Sequence, residues 1–149
     1  MIEAIRIDAT EKSIANIPLP EGDLFPWLRE QLSCEWVEPI RLGRAITLWI
    51  DEEGLLAEHP GPFFQVEISP GRQTIPISKF GVILAAKEDE TLIPLSEASP
   101  NLSMKFVHSR VRFPSVRFVG FVQSQKEEDH PLFGRVTVIR REAQFEELN

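Results

Sequence analysis

The clearest alternation of apolar and polar positions lies in residues 36–56 and predicts a β-hairpin. Apolar side chains recur at every second position on both sides of Gly43, at Ile40, Leu42, Ile46, Leu48 and Ile50. Successive side chains of a strand point to opposite faces, so each run has one strongly apolar face. An acidic turn, Asp51-Glu52-Glu53-Gly54, closes the second run.

The register of this hairpin follows from the alternation. A three-residue loop, 43–45, places Leu42 opposite Ile46 and Ile40 opposite Leu48, which keeps the apolar set together. A two-residue loop would slip the register by one and send half of that set to the other face. The sequence therefore predicts a loop of odd length or a bulge.

Two further features of the hairpin concern its backbone and its second face. Gly43 is expected to adopt an unusual backbone angle. Trp49 falls on the opposite face, together with Val37 and Pro39. Apolar residues on both faces predict that both strands of this hairpin lie inside a sheet, covered at least in part on both sides.

Most of the other segments also have the pattern of strands. The predicted strands are 3–7 and 14–19 as a first hairpin, then 63–68, 80–86, 92–95, a weakly alternating 104–113, 116–123 and 133–139. The predicted loops, rich in proline, glycine or charge, are 59–62, 69–72, 87–90 and 124–131. Residues 96–101 are expected to be a helical turn or irregular, and the acidic tail, 142–149, to fray or form one helical turn.

One segment, residues 23–33, has a convincing helical pattern. Asp23 is a candidate N-cap, and Pro26 falls in the first turn, where a missing N–H is harmless. The apolar residues recur at helical spacing and are expected to pack on the sheet as core: Leu24, Phe25, Trp27, Leu28 and Leu32.

These patterns predict an α+β fold, a mostly antiparallel sheet with one main helix and an all-β C-terminal third. A chain of 149 residues fits a single domain, 1–149. Within it we expect an α+β part, 2–98, and a β-rich extension, 102–142, packed on that part.

Composition is that of a water-soluble globular protein, with 42% hydrophobic and 26% charged residues. Cys34 is the single cysteine, which excludes an intrachain disulfide and a cysteine-based zinc site. The first residues, M-I-E-A-I-R-I-D, lack the apolar run of a signal peptide or membrane anchor. A cytoplasmic protein without membrane contact is therefore expected.

The net charge of −7 is unevenly distributed. Residues 1–99 hold 8 basic and 17 acidic residues, whereas residues 100–149 hold 8 basic and 6 acidic ones. The basic excess of the last third indicates either a patch for an anionic partner or solvated strand faces that balance the acidic part. Arg110 and Arg112 are expected to share one strand face, where Arg117, Arg135 and Arg140 could join them.

Two stretches resemble a known family. Residues 32–56, with W-V-E-P-I-R-L, I-T-L-W-I and D-E-E-G, and residues 80–95, an apolar strand with an acidic turn and a short return, resemble the small domains of unknown function 3846. The resemblance covers about residues 2–98 and implies a product of a phage, plasmid or other mobile element. It implies no activity.

Candidate catalytic chemistry is sparse. None of the three histidines, His59, His108 and His130, has a second ligand at a metal-binding spacing, so neither a metal nor a cofactor is predicted. Cys34 has no histidine near it in sequence and is interpreted as a buried thiol. The acids of the 51–53 turn are neighbours, whereas catalytic carboxylates converge across a cleft.

The sequence thus favours a non-enzymatic binding or inhibitory module that contacts a host protein or holds a small anionic ligand. Arg110, Arg112 and Arg117 are its predicted binding residues. Nucleic-acid binding through the arginine-rich C-terminal strands is a weaker alternative, as is an enzyme of unrecognised type. Self-association is left open. A deep polar pocket would favour a small ligand, and a flat apolar patch a protein partner.

Overall fold

The computed structural model describes residues 1–53, 62–69, 73–114 and 116–147. Most of the predicted 59–62 and 69–72 loops lies outside the described residues. Within the described ranges the elements, in chain order, are β1 Ala4–Asp8, β2 Ser13–Ile17, α1 Leu24–Leu32, β3 Val37–Arg41, β4 Ile46–Asp51, β5 Phe63–Ser69, β6 Gln73–Ser78, β7 Phe80–Ala86, β8 Leu92–Ile93, α2 Leu95–Ala98, α3 Met104–Arg110, β9 Val111–Arg112, β10 Val116–His130 and β11 Gly134–Glu147.

The strands form three antiparallel sheets. The main sheet has the order β2-β1-β7-β4-β3, and β8 pairs with the end of β7 on the edge that β1 occupies, since β4 lies on the other edge. A smaller sheet has the order β6-β5-β9, and β10 pairs with β11 alone. The predicted α+β class with mostly antiparallel strands is confirmed. Neither α1 nor the other described helices are long and apolar enough to cross a membrane.

The predicted register of the 36–56 hairpin is confirmed. Ile40 lies opposite Leu48, and the amide of Leu42 donates to the carbonyl oxygen of Ile46 at 3.0 Å. Strand β4 is interior, between β3 and β7, but β3 is an edge strand, so the expectation that both strands lie inside the sheet is wrong. Proline is tolerated at an edge because the missing N–H breaks no ladder, which suits Pro39. Gly43 does not adopt a positive φ, contrary to expectation.

Alternation along the strands gives the main sheet two apolar faces. One face, which includes Ile5, Leu48 and Ile83, packs against the smaller sheet and α3. The other face, which includes Val82 and Leu84, packs against α1 through Leu28 and Leu32. Interior strands are therefore covered on both sides, as the position of Trp49 predicted.

Helix α1 agrees with its predicted bounds. Asp23 is at the N-cap position but its side chain makes no capping hydrogen bond, and Ser33 ends the helix in the left-handed conformation with φ 51°. Leu28 and Leu32 are buried, as predicted for core positions. Phe25 is half-exposed and contacts the Trp49 ring edge-on, with ring centroids 5.7 Å apart.

Helix α3 contradicts two predictions. Residues 104–113 were expected to form a strand, and the last third of the chain was expected to be all-β. Ser103 caps the helix: its hydroxyl accepts a hydrogen bond from the Phe106 amide at 3.1 Å. A serine cap satisfies an amide that has no partner inside the helix. Val107 is the buried residue of α3, and the chain becomes extended at Val111.

Strand β6 was not predicted, and strands β10 and β11 are longer than the strands predicted at 116–123 and 133–139. Strand β6 was missed because Pro76 interrupts its pattern; it is an edge strand, where proline is tolerated. The predicted polar loop, 124–131, is wrong, since β10 continues to His130. The tail was expected to fray or turn helical, yet β11 continues to Glu147.

The turn between β1 and β2 is held by Asp8, whose side chain is almost buried. Its Oδ1 accepts hydrogen bonds from the Thr10 hydroxyl at 2.5 Å, the Thr10 amide at 2.9 Å and the Glu11 amide at 3.1 Å. Burial alone would raise the pKa of Asp8, but these hydrogen bonds and the charge of Arg6, 3.5 Å away, hold it below its ordinary value.

Ionised Asp8 should therefore stabilise the fold in a pH-dependent way. The folded-state pKa lies below the unfolded value of about 3.9, so the contribution is complete above that value and is lost as the pH falls through the lowered pKa. We expect Asp8→Asn to be less stable than wild type near pH 7, with the difference shrinking on acidification. Urea melts from about pH 7 to about pH 2 measure this, and a constant difference would contradict it.

Candidate functional site

The three predicted binding arginines lie on three different elements. Arg110 is the last residue of α3, so the prediction that Arg110 and Arg112 share a strand face is wrong. Arg112 is exposed on β9, opposite Gln65 of β5. The backbone of Arg117 lies in β10, opposite Glu146, but its side chain is outside the described part of the structure.

Arg110 links α3 to the smaller sheet at the rim of a cavity. Its Nη1 lies 3.0 Å from Oε1 of Glu67 on β5, and its guanidinium carbon lies 4.9 Å from the centroid of the Phe106 ring. Both charged side chains are partly buried. The guanidinium is thus held between a carboxylate and an aromatic ring, an arrangement that suits arginine better than lysine.

Arg135 and Arg140 pair with glutamates within the β10–β11 ribbon. Arg135 Nε lies 2.8 Å from Glu127 Oε2, and Arg140 Nη2 lies 3.1 Å from Glu128 Oε1. The alternative that the arginines pair with the acidic part of the chain therefore does not describe these two, whose partners lie in the ribbon itself, but it does describe Arg110, which pairs with Glu67. The side chains of both arginines and of Glu127 are well exposed to solvent and that of Glu128 is half-exposed, and such surface pairs contribute little to stability.

The length of the β10–β11 ribbon was not predicted, because sequence patterns indicated strands only at 116–123 and 133–139. We call residues 116–147, strands β10 and β11 with their turn, the arm. A strand of fifteen residues is about 50 Å long. Where its side chains are described, those of 122–140 are exposed, apart from half-buried Glu128, Val136 and Val138. Neither face thus carries the continuous buried row of an ordinary sheet.

The base of the arm contacts the smaller sheet. The ring of Phe145 on β11 lies 5.6 Å from that of Phe63 on β5, centroid to centroid. Phe63 is buried, whereas Phe145 is 44% exposed. This contact gives the arm an attachment to the core at one end.

The turn at the other end presents two apolar side chains, Leu132 and Phe133, which we call the tip. They are 83% and 76% exposed, respectively. The Nδ1 atom of His130 accepts hydrogen bonds from both of their amides, at 3.1 and 3.3 Å, and its ring stacks on that of Phe133. Gly134 follows with a φ of 69°, a conformation that glycine adopts without strain.

The tip could have been suspected from sequence. Leu132 and Phe133 are adjacent apolar residues that follow a run of polar and charged ones and Pro131, and they precede glycine. Adjacent apolar residues at a turn have no core to join, which makes such a pair a candidate contact surface. The polar run was interpreted as a loop, which hid this signal.

The surroundings of the Cys34 thiol and of the acids at 51–53 do not favour catalysis. Burial raises the pKa of the Cys34 thiol, the Asp51 carboxylate raises it further, and a reactive thiolate is therefore disfavoured. Oδ1 of Asp51 accepts the Glu53 amide at 3.0 Å within its turn. Across the described ranges, no group of three or more histidine, cysteine, aspartate or glutamate side chains is placed to hold a metal.

Comparisons with protein-family models, with curated proteins and with solved structures gave no match.

Proposed function

We propose that this protein is a non-enzymatic binding module that docks onto a partner protein through the tip of its arm. The observation that carries the proposal is the tip: two large apolar side chains, Leu132 and Phe133, held exposed by an ordered turn. Contiguous exposed apolar patches, unlike single apolar side chains, often mark protein interaction sites.

The energetics of the tip favour a protein cleft as its receptor. Fully burying one leucine or phenylalanine side chain contributes about 1.5–3 kcal/mol, so burying both would contribute roughly 3–6 kcal/mol. The His130 contacts hold the turn in place before binding, which reduces the entropy lost on docking. Interface anchors of this kind are typically aromatic.

The arm is less suited to nucleic acid, the alternative raised by its arginines. It carries five basic and six acidic residues, so it has no basic excess with which to attract phosphate. Two of its arginines are already paired with glutamates of the arm. We call the part of the arm outside the tip the stem. A stem with nearly balanced charge and an apolar end is more typical of protein contacts than of nucleic-acid contacts.

The resemblance to proteins of mobile elements is a separate reason to expect a host protein as the partner. A small module that inserts an apolar tip into a cleft of a larger protein can block that cleft without any chemistry of its own. Such a mode of action accounts for the sparse catalytic groups of the chain. Inhibition of a host protein through the arm is therefore the specific form of the proposal.

The test compares a tip variant with a stem variant. Leu132→Ser with Phe133→Ser removes the apolar tip, and Val122→Ser with Ile139→Ser makes the same type of change at exposed stem positions. Each protein is immobilised, exposed to an extract of its native host, and the retained proteins are quantified by mass spectrometry.

We expect a protein that wild type and the stem variant retain and that the tip variant loses by at least about ten-fold, given the burial energy of the tip. Light scattering on the purified chain shows whether a second copy is that partner. Equal retention by the tip variant, or no retained protein with wild type, would contradict the proposal. Thermal melts of both variants control for folding.

A further inference from the structure

A cavity of about 270 Å³ lies between the main sheet and α3. Its walls are mainly apolar side chains, from the main sheet, β5, α2 and α3: Ile5, Ile83, Val66, Leu95, Phe106 and Val107. These elements enclose it because each turns its apolar face toward the same core. The charged residues that line it are Glu67 and Arg110, and all of these residues lie outside the arm.

The walls make this space suited to an apolar group. Apolar cavities tend to stay dry and to take up small apolar molecules, because water finds too few partners in them. Unfilled space also leaves the surrounding side chains without dispersion contacts on one side. The volume is slightly below the range of about 300–1,000 Å³ typical of ligand pockets, so a short acyl chain or one ring fits better than a drug-sized molecule.

One basic residue of the last third, Arg110, lines this cavity among the residues that the structure describes. Residues 100–115 contain Lys105, Arg110 and Arg112 and no acidic residue, whereas the arm has one more acid than base. The charge asymmetry of the chain therefore arises in α3 and β9. Arg110 places a positive charge at the mouth of the cavity, which can attract a ligand with an anionic head.

Arg110 is positioned to hold such a head. A guanidinium has five N–H donors in a fixed fork. The described contacts engage the Nη1 group of Arg110 with Glu67, and the side chain is 32% exposed at the rim. A carboxylate at the cavity mouth could accept hydrogen bonds from the outward N–H groups, while Phe106 keeps the guanidinium plane in place.

We propose that this cavity is a binding site for a small amphiphilic carboxylate, with the apolar body inside and the carboxylate on Arg110. The site holds its ligand without transforming it: the polar lining in the described structure is one ion pair, with no serine, cysteine or lysine to act as a nucleophile. This inference goes beyond the arm's proposed docking role, and since the two use different residues, either can fail alone.

The test uses octanoate as the probe and octanol as its uncharged match. Titrations followed by two-dimensional NMR give both dissociation constants for wild type and for Arg110→Gln. Arg135→Gln is the matched control, because Arg135 also pairs with a glutamate but lies on the arm. Intermolecular NOEs from the octanoate chain to the methyl groups of Ile83 and Val107 report where the probe binds.

We expect octanoate to give these NOEs and to bind Arg110→Gln at least about ten-fold more weakly than wild type, the value of a charge-assisted hydrogen bond. Octanol should bind both proteins equally, which also shows that the cavity of the variant is intact. Arg135→Gln should bind octanoate as wild type does. Absence of the NOEs at millimolar octanoate, or equal octanoate affinity for Arg110→Gln and wild type, would overturn the proposal.

Discussion

Replacing Leu28 by alanine is expected to lower the free energy of unfolding by about 2–5 kcal/mol, the range for truncation of a buried leucine. Leu28 is 0% exposed and lies where α1 packs on the main sheet, in a cluster with Val82 and Leu84 of β7. The cavity left behind would be lined by a helix and a strand that cannot collapse independently, so the loss should be large. Urea melts of the two proteins measure it.

Glu30→Ala is the matched control, because Glu30 lies on the same helix and is exposed. Its effect should stay within about 0.5 kcal/mol, as is usual at surface positions. A loss of less than that for Leu28→Ala would mean that the apolar stripe of α1 does not face the sheet.

Gly81→Ala should be the second strongly destabilising change, by about 1–3 kcal/mol, the usual range for overpacking a core. A Cβ atom at Gly81 would lie 2.7 Å from Cζ of Phe64 and 3.0 Å from Cδ1 of Leu48. Phe64 is completely buried, so its ring can move aside only by displacing other core side chains. Glycine at this point of β7 thus allows the smaller sheet to approach the main one.

A comparison with Gly43→Ala isolates the steric effect from general effects of glycine replacement. A Cβ at Gly43 meets only Ile46, at 4.0 Å, and φ is not positive, so alanine should be neutral or slightly stabilising. Phe64→Leu should cost less in the Gly81→Ala background than in wild type, because it removes the clashing atom. Equal costs in the two backgrounds would argue against this contact.

The parts of the fold that could be predicted are those where one face of an element is buried and the other is less so. In the 36–56 hairpin a one-residue slip would expose Leu48, so the pattern alone determined the register. Helix α1 was predictable for the same reason, through Leu28 and Leu32. The strands at 116–123 and 133–139 were predicted, but the continuation of the arm beyond them was not, because the side chains described there are mostly exposed and leave no apolar alternation to detect.

Helix α3 was missed for a different reason. Apolar and polar residues alternate weakly along 104–113, which suggested a strand. The helix is favoured instead by the Ser103 cap, and a serine caps a helix only when its own backbone is extended. The short helix also depends on tertiary packing of Val107, which sequence periodicity does not report.

The candidate sites were predictable only in part. The basic excess identified Arg110 as a residue of interest, but its partner Glu67 is 43 positions away in sequence and comes close only through the pairing of β5 with β9. The tip was not predicted, because the exposure of Leu132 and Phe133 depends on the long strands that hold them away from the core.

The central claim, that the tip is the docking element, is tested most directly by photo-crosslinking in the native host. Benzoylphenylalanine replaces Phe133 at the tip or, as the control, Phe25 on α1, another exposed phenylalanine. We expect one crosslinked protein partner from position 133 that is absent from position 25, and loss of that product when Leu132 is also changed to serine. The same product from both positions, or none from position 133, would contradict the claim.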